Sequence, residues 1–268
     1  MRLYFDKRFW KKFVCVILVL VTGCANNTEL PDEKISWTES FTTDLFNLPD
    51  EIIEDSITTF SKSDNLIPLM LAGSASIAMH NTNADDNIAG DFDVHPSFKG
   101  FPDKSFDLIG GPGFHFAVTG LWYALSVENG DDFNKHRAWT MMRALSVTGM
   151  TTLALKAARN NKTPNGKSWA WPSGHTSSSF TVASVLDEFY GPKIGIPAYI
   201  GASVVGWRMM DTGDHWASDV VFGATLGWIV GHSVAGKHKN IEIAGFEVIP
   251  YTFFENQSAI GITLLKRF

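Results

Sequence analysis

Trp171-Pro172-Ser173-Gly174-His175-Thr176 joins a polar loop to a run of small and apolar residues, and its reading decides the fold. Pro172 ends whatever precedes it, Ser173 is a helix cap, and the pattern after it predicts a helix over Ser177 to Leu186. A helix opening on Ser and Gly leaves backbone N–H groups unpaired beside His175, and such a terminus attracts anions.

A second stretch runs from Trp207-Arg208 to His215-Trp216-Ala217-Ser218-Asp219. His215 and Asp219 are four residues apart, so on a helix they share a face, and the carboxylate can accept the imidazole Nδ1–H. That leaves Nε2 of His215 free to attack. With His175 able to give a proton and Lys156 just upstream, this set suits phosphoryl transfer through a phosphohistidine, a chemistry that calls for no metal or cofactor.

These runs resemble the type 2 phosphatidic acid phosphatase superfamily, whose signature is K-x6-R-P, then P-S-G-H, then S-R-x5-H-x3-D. The middle motif is intact as Pro172-Ser173-Gly174-His175, the end of the third as His215-x3-Asp219, and the first keeps its spacing from Lys156 to Pro164. Two positions depart. Thr163 stands where the pattern has Arg, and Arg208 lies seven residues before His215 rather than six. Lys162 and Arg159 are the nearest cations to the missing first Arg.

The resemblance covers roughly residues 156 to 231 and implies an all-α, compact helical bundle of the phosphatase and haloperoxidase type. It also implies His215 as nucleophile, Asp219 as its brace and His175 as the acid that frees the leaving oxygen. Lys156, Arg208, Ser173, the Gly174 amide and Lys162 would hold the phosphate. The activity implied is metal-independent hydrolysis of phosphate monoesters or diphosphates, on lipid or small soluble substrates. Vanadium haloperoxidases share such a pocket and form one alternative; a non-catalytic envelope lipoprotein keeping the fold is another.

At 268 residues, 45% hydrophobic and 13% aromatic, the chain can bury a sizeable core. The formal charge is −6, but Met1 to Gly23 alone carries a net +4, leaving −10 on the remainder. So acidic a body argues against nucleic-acid binding. The two cysteines are Cys15 and Cys24, the first inside the apolar N-terminal run, so the mature domain makes no internal disulfide.

Residues 1–23, a basic start followed by the apolar run Phe13 to Val21, read as a secretory signal. Val21-Thr22-Gly23-Cys24 resembles a bacterial lipobox, which makes Cys24 the lipidation site and places the protein in the bacterial cell envelope, facing the periplasm. Ala25 favours the outer membrane. Residues 24–40 read as a polar tether, 41–240 as the helical domain and 241–268 as a β-hairpin tail, from the alternation of Phe246 and Val248 and of Ile260, Ile262 and Leu264 about a turn at Asn256 to Ser258.

Helical periodicity predicts further helices over Glu51 to Phe60, Leu66 to Met79, Phe114 to Val127, Ala138 to Ala158, Ile194 to Met210 and Trp216 to Ala235. In the last, Gly223, Gly227 and Gly231 form a stripe of small residues suited to close helix approach. Asn81 to Asp103, rich in Asn, Asp, Gly and Pro, reads as a solvated loop, since its carboxylates lack a calcium-loop ladder. Gly110-Gly111-Pro112-Gly113 lacks both a preceding strand and the G-x-G-x-x-G pattern, so it marks a helix start. His115 and His136 lack partners at motif spacing and read as core and surface residues. Uncharged windows such as Asn65 to Ala84 are long enough to cross a bilayer, but their Pro, Asn, His and Gly content favours a lipid-anchored globular domain.

Overall fold

The computed structural model describes residues 37–236, 241–243, 246–253 and 259–265. The first span is helical. Its helices are α1 (Trp37–Ser61), α2 (Ser63–Asn81), α3 (Ala84–Val94), α4 (Phe101–Gly110), α5 (Pro112–Glu128), α6 (Asp132–Arg159), α7 (Gly174–Tyr190), α8 (Pro192–Asp211) and α9 (Ala217–Ala235). Among the described residues no helix is long and apolar enough to cross a membrane.

The centre is α7 against α9, and both are made of small side chains where they meet. A methyl group added at Gly223 would lie 2.7 Å from the carbonyl oxygen of Ser173, and one at Gly231 would lie 2.7 Å from Cβ of Ser184. Gly227 lies against the backbone of Ser177 and Thr181 in the same way. The stripe of small residues therefore sets the interhelical distance. Because Gly223 meets Ser173 and Gly231 meets Ser184, α7 and α9 run in the same direction, with both N-termini at one end of the bundle.

α6 packs on α7 from the other side, antiparallel, through paired hydroxyls. Thr148 and Thr181 are 2.8 Å apart, Thr152 and Ser177 3.1 Å. Because 148, 152 and 156 lie on one stripe of α6, the next residue along is Lys156, whose Cε would lie 3.9 Å from a methyl group added at Gly174. Apolar residues close the gaps: Val147, Phe222, Leu226 and Val230 form one cluster between α6 and α9, and Met141, Leu145 and Val185 another between α6 and α7. α1 attaches to α6 by polar as well as apolar contacts. Asp55 takes Arg143 in a two-pronged ion pair at 2.7 and 2.8 Å, and Glu51 accepts from the Trp139 indole at 2.7 Å.

Two differences from the sequence reading bear on the site. α1 begins at Trp37, so its first residues overlap the stretch read as tether; Cys24 and the signal segment lie outside the described residues. Asn81 to Asp103 is not one solvated loop but contains α3 and the start of α4. The reason is tertiary. Asp85, almost fully buried, accepts from the Ser218 backbone N–H at 3.0 Å and from its hydroxyl at 2.6 Å, and so caps the start of α9. Asp211 likewise accepts from the N–H groups of Ser97 and Phe98, holding the link between α3 and α4.

The C-terminal unit is an antiparallel three-stranded sheet in the order β1 (Ile241–Ile243), β2 (Phe246–Phe253), β3 (Ala259–Leu265), with Val248 opposite Leu264 and Thr252 opposite Ile260. The turn read at Asn256 to Ser258 lies outside the described residues.

Candidate active site

The N-terminal ends of α7 and α9, the C-terminal ends of α6 and α8, and the end of α4 gather at one pole of the helical unit. Ser173 caps α7: its hydroxyl accepts the Thr176 N–H at 3.4 Å and lies 2.9 Å from the Thr176 hydroxyl. The Ser173 N–H donates to the Asp219 carbonyl at 3.1 Å, which stitches the two helix starts together. The helix begins at Gly174, one turn earlier than expected, so the amides of Gly174 and His175 lie in the first turn, where no carbonyl precedes them in the helix. Two helix N-termini side by side add partial positive charge to this pole.

His215 is buried, and its Nδ1 lies 3.3 Å from Oδ2 of Asp219. The same oxygen accepts the Trp216 backbone N–H at 3.0 Å. Asp219 therefore orients the ring and leaves Nε2 directed away from the brace. Lys156 extends along α7 and donates to the carbonyls of Trp169 and, at 3.2 Å, Ala170. Burial lowers its pKa to about 8, against the opposing pull of the Asp219 charge.

His175 stands half-exposed at the mouth. Burial holds its pKa below the ordinary imidazole value; Asp107 pulls it back up, while His215 and Arg208 push it further down. Asp107 links His175 to Arg208, its Oδ1 lying 3.6 Å from Nε2 of the one and 2.9 Å from Nη1 of the other. Gly111 also lies here, since a methyl group there would be 3.7 Å from Nε2 of His175.

Arg208 reaches the site despite its extra residue of spacing. α8 continues to Asp211, and a turn through Gly213, at φ +68°, absorbs the additional residue and returns the chain so that the His215 N–H bonds the Met209 carbonyl at 2.9 Å. The guanidinium, 7% exposed, is shared by three carboxylates: Asp103 at 2.7 Å, Asp214 at 2.8 Å and Asp107 at 2.9 Å. Asp214 is in turn held by Lys167 at 2.6 Å and Asn165 at 2.8 Å. Burial works to raise the Asp214 pKa, but the bonds from Lys167, Asn165 and Thr212 and the charge of Arg208 outweigh it and keep it at about 2.

Lys156, Ser173, Gly174, His175, Arg208, His215 and Asp219 thus come to one place. What Lys162 brings to the site is its carbonyl, which accepts the Trp216 indole N–H at 2.7 Å; the residue itself is exposed. Thr163 is buried and bonds within its own loop, to Asn165 and Lys167. Arg159 lies over the Trp171 ring at 5.5 Å. Asp103, Asp107, Asp214 and Lys167 are the residues that motif reading missed. They carry no pattern, and the first two sit a hundred positions from the Arg they bind. His115, read as core, has a buried Nδ1 without a hydrogen-bond partner, and its pKa falls to about 4 through burial first and the charge of His175 second.

Residues 146–241 match the PAP2 superfamily. The chain is similar to a lipid A 1-phosphatase of Porphyromonas gingivalis, with 31% identity over 164 residues, covering 56% of this chain and 34% of that protein. It thus spans about a third of the length of that curated relative. Among solved structures it is similar to a transmembrane PAP2 type phosphatidylglycerolphosphate phosphatase from Bacillus subtilis, at a TM-score of 0.54 and 18% identity over 69% of this chain and 98% of the other. It is also similar to LpxE from Aquifex aeolicus, at a TM-score of 0.43 and 22% identity over 49% and 82% of the two chains.

Proposed function

We propose, from the match of residues 146–241 to the PAP2 superfamily, that the chain belongs to the type 2 phosphatidic acid phosphatase superfamily and is a metal-independent phosphoric ester hydrolase acting on phosphorylated lipids through a phosphohistidine at His215. The observation that carries this reading is the braced imidazole: the His215–Asp219 pair is tied to the first turn of α7 by the Ser173 N–H on the Asp219 carbonyl, with Lys156 against Gly174 and with Asp107 bridging His175 and Arg208.

In the first step Nε2 of neutral His215 attacks phosphorus, and its bond to the leaving oxygen breaks. His175, entering as imidazolium, gives its Nε2 proton to that oxygen. The new positive charge on His215 faces the Asp219 carboxylate. In the second step neutral His175 takes a proton from water, the water oxygen attacks phosphorus, and the phosphorus–nitrogen bond breaks to release inorganic phosphate. Lys156, Arg208, the Ser173 hydroxyl and the Gly174 amide hold the equatorial oxygens as charge spreads onto them. Lys167, fixed on Asp214, adds a further positive charge at the rim.

The substrate class follows from the relative named for a lipid A 1-phosphatase and from an anchor at Cys24, which would hold the site near a bilayer in the cell envelope. Incorporation of labelled palmitate, lost in Cys24→Ser, tests the anchor.

The activity is tested on the full chain in detergent, with a lipid A-type 1-phosphate, phosphatidic acid, an isoprenoid diphosphate and p-nitrophenyl phosphate in parallel. Phosphate release should withstand chelators and be inhibited by vanadate, and the phosphoenzyme should be labile to acid and stable to alkali. His215→Ala should lower turnover by roughly a thousandfold or more. Full turnover in that variant would overturn the assignment, and bromide oxidation dependent on added vanadate would favour the haloperoxidase reading instead.

A further inference from the structure

Arg208 is held by three carboxylates, and they are not equivalent. Asp103 takes the Nε and Nη2 edge at 2.8 and 2.7 Å and is largely covered. Asp214 takes Nη1 at 2.8 Å and is itself fixed by Lys167, Asn165 and Thr212. Both act as anchors that set the plane of the guanidinium. Asp107 differs: its side chain is 52% exposed, and one oxygen, Oδ1, lies 2.9 Å from Nη1 of Arg208 and 3.6 Å from Nε2 of His175.

An anionic oxygen between an Arg N–H and the imidazole Nε2 is the position a phosphate ester must fill for His175 to protonate its leaving oxygen. The Asp107 carboxylate presents to both donors an anionic oxygen, as a bound phosphoryl group would. We infer that Asp107 is an affinity-determining residue that stands in for the substrate in the resting site, and that an incoming phosphate ester displaces it from Arg208 and His175. This rests on the reading of those two residues as phosphate-binding and proton-giving groups.

The geometry makes displacement feasible. Asp107 sits on the last turn of α4, a ten-residue helix whose C-terminal Gly110 packs on Val205 of α8 and whose next residue, Gly111, borders His175. The backbone is thus fixed beside the site while the half-exposed side chain has solvent to turn into. Until it turns, its charge opposes a dianionic ligand and occupies one of the Arg208 N–H groups. The anchoring carboxylate of Asp103 works in the opposite sense, because without it the guanidinium loses its orientation. The two aspartates, four residues apart on the same helix, are therefore expected to affect anion binding with opposite signs.

The test is calorimetric binding of inorganic phosphate and of orthovanadate to the full chain, with steady-state hydrolysis of p-nitrophenyl phosphate alongside. Asp107→Asn should bind both anions about fivefold to tenfold more tightly and lower KM by a similar factor, with kcat within about twofold, as expected for removing one nearby like charge in a partly solvated site. Asp107→Ser should behave the same way, and Asp103→Asn should bind more weakly. Unchanged or weaker anion binding in both Asp107 variants overturns the inference, as does a loss confined to kcat. Because binding is read without turnover, a chain that binds phosphate but does not hydrolyse would sink the proposed activity and leave this test standing.

Discussion

Oδ2 of Asp219 lies 3.3 Å from Nδ1 of His215, within a single turn of chain, and the acid is 1% exposed. A buried carboxylate in that place fixes the imidazole tautomer and, in the proposed mechanism, faces the positive charge that phosphorylation of Nε2 would create. Asp219→Asn keeps the shape but can turn an amide N–H toward Nδ1, which favours the wrong tautomer. It should lower kcat by roughly a thousandfold with little change in KM, since tautomer control rather than binding is lost. Circular dichroism should show the helical content retained. Asp219→Ala should in addition lower Tm, because the Trp216 N–H then loses its acceptor inside the protein. Near-normal kcat in Asp219→Asn would remove the brace from the mechanism.

Lys156 provides a pH test. Its pKa of about 8 means the ammonium is largely present at pH 7 and mostly gone by pH 9. Anion affinity should therefore fall as pH rises through 8, read as rising KM or weaker inhibition by inorganic phosphate. Lys156→Met should bind weakly at pH 7 and show no such fall between pH 7 and 9. A wild-type affinity that is flat across that interval would mean Lys156 does not face the phosphate.

The contact between α7 and α9 predicts a contrast between two glycines. Gly227 lies directly against the Ser177 carbonyl, while Gly201, on α8, has nothing within 4 Å of where a methyl group would stand. Gly227→Ala must push the helices apart and should cost about 3 kcal/mol or more, as overpacking against backbone does. Gly201→Ala should be neutral or stabilise by about 0.5–1 kcal/mol, through helix propensity alone. Urea unfolding of both variants measures the difference. Gly223→Ala, which would strike the Ser173 carbonyl, should also lower activity, because it displaces Ser173 and Gly174, the turn proposed to hold the phosphate.

What could be read along the chain was whatever one or two helical turns determine. The His215–Asp219 pair, the Ser173 cap and the Gly223-Gly227-Gly231 stripe depend on spacing and on the conformations that each residue type allows, and these survive in almost any surroundings. The number and order of the helices from 112 to 235 follow from the same periodicity. The stretch from 81 to 103 misled because its Asn, Asp and Gly content favours loops. Asp85 is instead buried against Ser218, a contact across 133 positions that local propensity does not register.

The sequence by itself therefore determined the braced imidazole and the capped turn beside His175, since both are local objects. Only the tertiary structure decided how the site is charged. It brought Asp103 and Asp107 to Arg208, put Lys167 on Asp214, and let the turn at Gly213 restore an Arg one residue out of register. The reason is that Coulomb attraction and close packing act through space. Residues a hundred positions apart meet only after α4, α7, α8 and α9 have packed, and no spacing along the chain records that meeting.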